Sequence, residues 1–135
     1  MIRPMKSEDV EAIGLIQSRA GAAAQWDPLS YLDHLCLVVE VDKVLKGFIV
    51  WRDTAPSEHE ILNLAVDPEY RRQGIAKGLL EAAILPGSGD WFLEVRESNE
   101  GAILLYIACG FNKIGYRRGY YTSPSESGIV MKLCS

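Results

Sequence analysis

The sequence has few of the residues that build metal or redox sites. Among 135 residues there are three cysteines, Cys36, Cys109 and Cys134, and two histidines, His34 and His59. No Cys-x-x-Cys is present, and these residues show no metal-site spacing. An odd number of thiols fits no closed disulfide framework, so they are expected to be reduced and structural, with Cys109 a minor candidate nucleophile. Basic charge is also scarce. Lys and Arg number 14 against 18 Asp and Glu, a net charge of −4. That balance argues against the broad basic surface used by nucleic-acid binders, although Arg71 with Arg72 and Arg117 with Arg118 leave room for local patches. Long apolar runs are missing. None approaches the length of a membrane span, runs such as GFIVW at 47–51 are strand-sized, and MIRPMKSED at the start lacks the apolar stretch of a signal peptide. A cytoplasmic protein without a membrane partner is expected. No repeat or low-complexity linker divides the chain, and its length suits a single domain over 1–135. No obvious exposed apolar stripe demands a dimer, so a monomer is expected.

What is present is a regular alternation of strand and helix patterns. Residues 2–5 suit a short strand. Ser7 is a candidate N-cap for a helix over about 8–20, with Val10, Ile13 and Ile16 on one face. GAAAQWDP (21–28) breaks that pattern, and Asp27 followed by Pro28 predicts a short second helix through about Leu35. CLVVEVD (36–42) and KGFIVWR (46–52) predict a hairpin. EILNLAV (60–66) predicts a third long strand, stopped by Asp67 and Pro68. A helix over about 73–85, a strand at WFLEVR (91–96) and a helix over 100–109 follow, the last capped by Asn99 and ended by Gly110. Two strands, 112–121 and 128–134, complete a mixed α/β domain with a central sheet and flanking helices.

The most informative stretch is NLAVDPEYRRQGIAKGLL (63–80). A strand runs into a glycine-containing turn that opens a helix. Helix N-termini carry unpaired N–H groups and positive dipole character, which suit phosphate or pyrophosphate. Gly74 and Ala76 have small side chains, so an anion can approach the backbone, and Arg71 and Arg72 add charge. The spacing is neither a Walker A nor a dinucleotide fingerprint. Read on its own, Gly74 fits either an anion site or a tight strand-to-helix turn.

RRQGIA (71–76) matches the R/Q-x-x-G-x-G/A motif of the GNAT N-acetyltransferase superfamily. With EHEILNLAVDPEYRRQGIAKGLL, FLEVRESNEGAILLYIACGF and YRRGYY around it, the chain resembles the RimI-type ribosomal-protein-alanine N-acetyltransferases from IRPMKSED to VMKL. The resemblance implies the acyl-CoA N-acyltransferase fold with a splayed strand pair, acetyl-CoA as co-substrate, and direct transfer to an N-terminal alanine of a ribosomal protein. It assigns the pyrophosphate to backbone groups of Arg72, Gln73, Gly74, Ile75, Ala76 and Lys77. It places Leu64, Ala65 and Val66 along the pantetheine arm, where their backbone also polarises the thioester carbonyl. Asn99 matches a cofactor-contacting position and is equally well read as a plain helix cap.

Acetyl transfer to an amine needs a neutral nucleophile, a donor for the oxygen that gains charge, and a proton for the departing thiolate. An α-amino group, with a pKa of about 7.7–8.0, is substantially protonated at neutral pH. Strand alternation puts Phe92, Glu94 and Arg96 on one face and Trp91, Leu93 and Val95 on the other. Glu94 can therefore face an incoming amine as a base, its pKa raised by partial desolvation, or it can be a structural carboxylate paired with Arg96 or Arg117. Tyr106 shares a helical face with Ala102, Ile103 and Cys109, which on periodicity alone reads as core. The resemblance assigns the base role to Glu94 and thiolate protonation to Tyr106. Glu58 and Glu60 are candidates for orienting an amine or water, or form a solvated strand end. Tyr120 and Tyr121, by resemblance, frame the peptide terminus, and Trp26 borders the substrate side or anchors its loop. The chain departs from the family in a shortened link at PGSG (86–89), in GAAAQW, and in SPSESGIVM, where Glu126 stands without the usual acid pair. Those departures leave the acceptor open to a lysine side chain or a small amine, and a non-catalytic acyl-CoA-binding module is the reading from another class.

Overall fold

The computed structural model describes residues 1–21, 25–122 and 125–135, with the side chains of 120–122 and 125 outside that description. The chain divides into two compact units, Met1–Arg52 with Ile61–Leu85, and Asp53–Glu60 with Pro86–Ser135.

The first unit opens with β1 (Ile2–Pro4), a 3₁₀ turn (Ser7–Asp9) and α1 (Val10–Ala20). A second 3₁₀ segment (Pro28–Asp33) leads to β2 (Leu35–Val41), β3 (Val44–Ala55) and β4 (Glu58–Val66). A third 3₁₀ turn (Pro68–Tyr70) precedes α2 (Ile75–Ala83). The strands are hydrogen-bonded in the order β1-β2-β3-β4. The β2–β3 hairpin turns on Asp42 and Lys43, both at positive φ (52° and 65°), as a two-residue connection between twisted antiparallel strands requires. Its core gathers Ile13, Ile16 and Ala20 of α1 with Tyr31, Cys36, Val38, Phe48, Val50 and Ala65.

Two expectations are corrected here. The first helix starts at Val10, not at residue 8, and Ser7 is not its cap. Asp9 decides this, because its carboxylate accepts the Lys6 N–H at 2.7 Å and Arg3 guanidinium N–H groups at 2.8 and 2.9 Å. Arg3 also holds the Asp9 carboxyl below its ordinary pKa, and the pair pins residues 7–9 in the tighter turn. The second helix is a 3₁₀ segment ending at Asp33. Asp27 caps it as expected, accepting the Leu29 N–H at 3.1 Å.

The second unit holds β5 (Asp90–Arg96), α3 (Glu100–Ala108), β6 (Asn112–Thr122) and β7 (Ser125–Cys134). The strands follow the order β5-β7-β6, and both pairs are antiparallel. Along β5, burial alternates as the sequence predicts: Trp91, Leu93 and Val95 are buried, and Phe92, Glu94 and Arg96 are half-buried. The last strand begins at Ser125, three residues before the predicted start. The PGSG link is fitted closely. A Cβ at Gly89, whose φ is 118°, would lie 2.2 Å from the Ser57 carbonyl oxygen, so the position accepts only glycine. Among the described residues, no helix is long and apolar enough to cross a membrane, and no group of three or more His, Cys, Asp or Glu could hold a metal ion.

Candidate active site

In the first unit the candidate site is the end of β4 and the turn into α2. Leu64 and Val66 are half-buried and Ala65 is buried. The Leu64 N–H donates to the Asn63 side-chain oxygen at 3.0 Å, so this donor is engaged within its own strand. The Asp67 N–H then bonds the Lys46 carbonyl at 2.8 Å. Arg19 holds the Asp67 carboxylate at 2.9 Å, and Lys46 lies 4.3 Å from the Tyr70 ring centroid. These contacts fix where the turn starts.

Arg72 (φ 65°) and Gly74 (φ 75°) reverse the chain into α2. Gly74 is the N-cap residue, no side chain among the described residues caps this helix, and its first turn contains no acid. A Cβ at Gly74 would meet no atom of the described residues within 4 Å, so the glycine serves a left-handed backbone and leaves the approach open among them. Arg71, Arg72, Gln73 and Lys77 are exposed around it, and Lys77 pairs loosely with Glu81 at 3.8 Å. Uncapped N–H groups, a positive helix end and three nearby cations fit a diphosphate.

In the second unit the candidate site is β5, the turn after it and α3. Glu94 pairs with Arg117, Nε to Oε1 at 3.1 Å, its side chain 19% exposed and that of Arg117 59%. Burial raises the Glu94 pKa, Arg117 opposes that rise, and the negative charge of Glu60 adds to it. The paired carboxylate foreseen as the structural reading is thus present, with Arg117 as partner. Arg96 turns instead to Glu126, at 3.8 Å. The pair leaves a half-buried carboxylate whose proton affinity is above normal despite the neighbouring guanidinium.

Asn99 caps α3, its side-chain oxygen accepting the Ala102 N–H at 3.3 Å. Tyr106 lies on the buried side of that helix, edge-on to Phe111 with ring centroids 5.5 Å apart. Burial holds its phenol pKa well above the usual value, so it carries its proton throughout the neutral range. Glu58 accepts a hydrogen bond from Thr54 at 3.0 Å. The single Ser98 hydroxyl proton is shared between the two Glu126 carboxylate oxygens, at 2.9 and 3.0 Å, which ties the lone acid of SPSESGIVM to the turn after β5. The side chains of Tyr120 and Tyr121 fall outside the described residues. Trp26 is 56% exposed.

Sequence reasoning missed two buried polar groups. His59 stacks on Trp91 at 4.4 Å, with Nδ1 2.6 Å from Asp53 Oδ1 and Nε2 2.8 Å from the Ser88 carbonyl. Gln17, Tyr31 and Asn63 form a hydrogen-bonded cluster. Both had a signal. His59 and Asn63 share the inward register of β4 with Ile61 and Ala65, and Gln17 sits among Ile13, Ile16 and Ala20 on the buried face of α1.

Comparison with known proteins bears on the same segments. Residues 6–111 match the acetyltransferase (GNAT) family. A ribosomal protein bS18-alanine N-acetyltransferase from Salmonella typhimurium is 32% identical over 140 residues, covering 96% of this chain and 93% of the relative. The enzyme of the same name from Escherichia coli is 45% identical over 82 residues, 56% of this chain and 55% of the relative. In that match the chain spans about half the length of the curated relative. The crystal structure of the E. coli ribosomal-protein-S18-alanine N-acetyltransferase has a TM-score of 0.87 and 32% identity, covering 99% of this chain and 92% of that one. A GNAT family acetyltransferase from Elizabethkingia anophelis, with acetyl-CoA bound, shares the fold at a TM-score of 0.81 and 18% identity, over 100% of this chain and 97% of that one. The family match includes β4, the uncapped turn at Gly74, and β5 with α3, and the chain belongs to the acetyltransferase (GNAT) family.

Proposed function

We propose that the chain is an acetyl-CoA-dependent N-acetyltransferase acting on a protein N-terminus, with the N-terminal alanine of a ribosomal protein as its acceptor. One observation carries this reading: the 32% identity to the Salmonella typhimurium bS18-alanine N-acetyltransferase extends over 96% of the chain. The proposal takes residues 1–135 as one catalytic domain, monomeric and cytoplasmic, with no nucleic acid or membrane partner.

When bound, acetyl-CoA supplies an activated acyl group and a good leaving thiolate. The chain's own residues do the rest. The backbone of Arg72, Gln73, Gly74, Ile75, Ala76 and Lys77 holds the diphosphate through N–H groups at the α2 N-terminus. Leu64, Ala65 and Val66 line the pantetheine arm, and Asn99 both caps α3 and touches the cofactor. Glu94 takes the proton of the incoming ammonium, directly or through a water, which its raised pKa favours. Tyr106 gives its retained proton to the departing sulfur. Glu60 lies near enough to Glu94 to influence its charge and helps draw a cation in.

The test is turnover of acetyl-CoA, followed as free thiol, against Ala-, Ser- and Met-initiated peptides, lysine peptides and polyamines. Preferential transfer to the Ala-initiated peptide is expected. Transfer confined to polyamines or lysine side chains would move the acceptor class, and binding without turnover would make the chain an acyl-CoA-binding module.

A further inference from the structure

The buried cluster of Gln17, Tyr31 and Asn63 joins the strand proposed to carry the acyl donor to the segment of Trp26, which the family resemblance places on the substrate side. Gln17 is 5% exposed, Asn63 6% and Tyr31 1%. The Tyr31 hydroxyl donates to Gln17 Oε1. Asn63 Nδ2 lies 3.1 Å from both Gln17 Oε1 and the Tyr31 hydroxyl oxygen. From its other side, Asn63 accepts the Leu64 N–H at 3.0 Å. Gln17 Nε2 donates to the Trp26 carbonyl at 2.6 Å, and the Gln17 carbonyl accepts from Gln25 Nε2 at 3.1 Å. An unbroken path of hydrogen bonds therefore runs from the backbone of Leu64 to the backbone of an exposed tryptophan.

Stability alone does not call for this arrangement. Partners replaced together by apolar groups of the same shape cost little, and the neighbouring side chains Ile13, Ile16, Phe48 and Ala65 are already apolar. What the carboxamides add is direction. Asn63 fixes which way the Leu64 N–H points, and Gln17 fixes the Trp26 peptide ahead of the 3₁₀ segment. We infer that Gln17 and Asn63 are positioning residues that tie acceptor recognition at the Trp26 loop to the acyl-donor strand at Leu64. This rests on the transferase reading above and adds a specificity-setting role for two residues. Neither is assigned to the chemical step. Trp26 and, after it in sequence, Leu29, Leu32 and Leu35 are exposed.

The test combines an activity-independent readout with a kinetic one, on the full chain. Hydrogen exchange at the Leu64 amide is followed by NMR without acetyl-CoA. Asn63→Leu is expected to speed it by about tenfold or more, and Gln17→Met, which does not touch Leu64, is expected to speed it as well. In kinetics, Gln17→Met is expected to raise KM for the Ala-initiated peptide by roughly fivefold or more, while acetyl-CoA Kd by calorimetry moves less than about twofold. If Gln17→Met does not fold, Tyr31→Phe, which removes one hydroxyl, serves for both measurements. Unchanged Leu64 exchange with unchanged peptide KM overturns the inference, as does an equal loss of affinity for peptide and acetyl-CoA, the mark of general loosening. If the wild-type chain acetylates no peptide, the proposed function itself fails, and the acceptor role of Gln17 with it.

Discussion

Tyr106 keeps its proton because burial makes a phenolate costly, and that is the state the proposed proton donor to sulfur requires. Tyr106→Phe retains the packing on Phe111 and removes only the hydroxyl. Its kcat should fall by roughly 10²–10⁴-fold, the span expected when a general acid is lost. Steady-state kinetics with chemistry rate-limiting checks this, and an unchanged kcat would return Tyr106 to the core. Glu94 differs in that its environment pulls two ways. Burial and Glu60 favour its neutral form, and Arg117 favours the charged one. Glu94→Gln should reduce kcat/KM most at acidic pH, where the acceptor amine is protonated, and least above its pKa of about 8. A loss of activity that merely follows the loss of folded protein would make Glu94 structural. The sequence showed that Glu94 lies off the core face of its strand, because alternation is local. It left the choice between Arg96 and Arg117 open, since that choice depends on how β6 and β7 pair, and pairing register is not a local property.

At the scale of elements, the turn between β4 and α2 owes its shape to a left-handed glycine. Gly74→Val should weaken acetyl-CoA binding by roughly tenfold, about 1.4 kcal/mol, because a β-branched residue is strained at φ 75° and the turn must move its N–H groups. Calorimetry reads this directly, and unaltered affinity would argue against the diphosphate at this turn. The β3–β4 turn and the PGSG link are tied by His59, and both ring nitrogens face acceptors, a carboxylate and a carbonyl. That geometry is satisfied by the imidazolium. Burial pulls the His59 pKa down, but the Ser88 carbonyl and Asp53 outweigh it and the net shift is up. Because the folded pKa is raised, the stabilisation is fully present below the unfolded value of about 6.5 and is lost as pH rises through the higher folded value. Urea midpoints of the wild type should therefore fall more between pH 6 and 9 than those of Asp53→Asn; parallel curves would sink the assignment. Helix signals behaved differently from one another. Asn99 and Asp27 cap as their residue types predict, since a cap is a contact within a few residues. The start of α1 was misplaced because Asp9 answers to Arg3, across the turn, rather than to its own helix.

For the whole molecule, a ligand that binds only the folded chain must raise its stability. At a hundredfold excess over Kd, acetyl-CoA should contribute about 2.7 kcal/mol. For 135 residues that corresponds to a rise in Tm on the order of 10 °C. Thermal unfolding with and without acetyl-CoA measures it, and the absence of a shift at saturation would contradict the co-substrate assignment. The order of strands and helices was legible along the chain, because most carry their own period, but the second helix proved to be a 3₁₀ segment. The polar interior was not legible. Gln17 and His59 looked like ordinary residues within a helix and a strand end, and their partners lie 46 positions away at Asn63 and 29 away at Ser88.

β6 bonds to β7 and stands at the end of the strand order, an eleven-residue strand with one side left to bond. Such an edge is a ready template for the strand of another molecule, and so a route to aggregation. Lys113, Arg117 and Arg118 are exposed along it, and its register with β7 breaks twice, between Lys113 and Gly115 and between Arg117 and Tyr121. A second chain adding there would meet irregular backbone and a row of cations it would have to desolvate. Lys113 thus bears on colloidal behaviour, whereas Arg117 reaches back to Glu94, and a neutral residue at position 113 is expected to make concentrated solutions of the protein less stable against association.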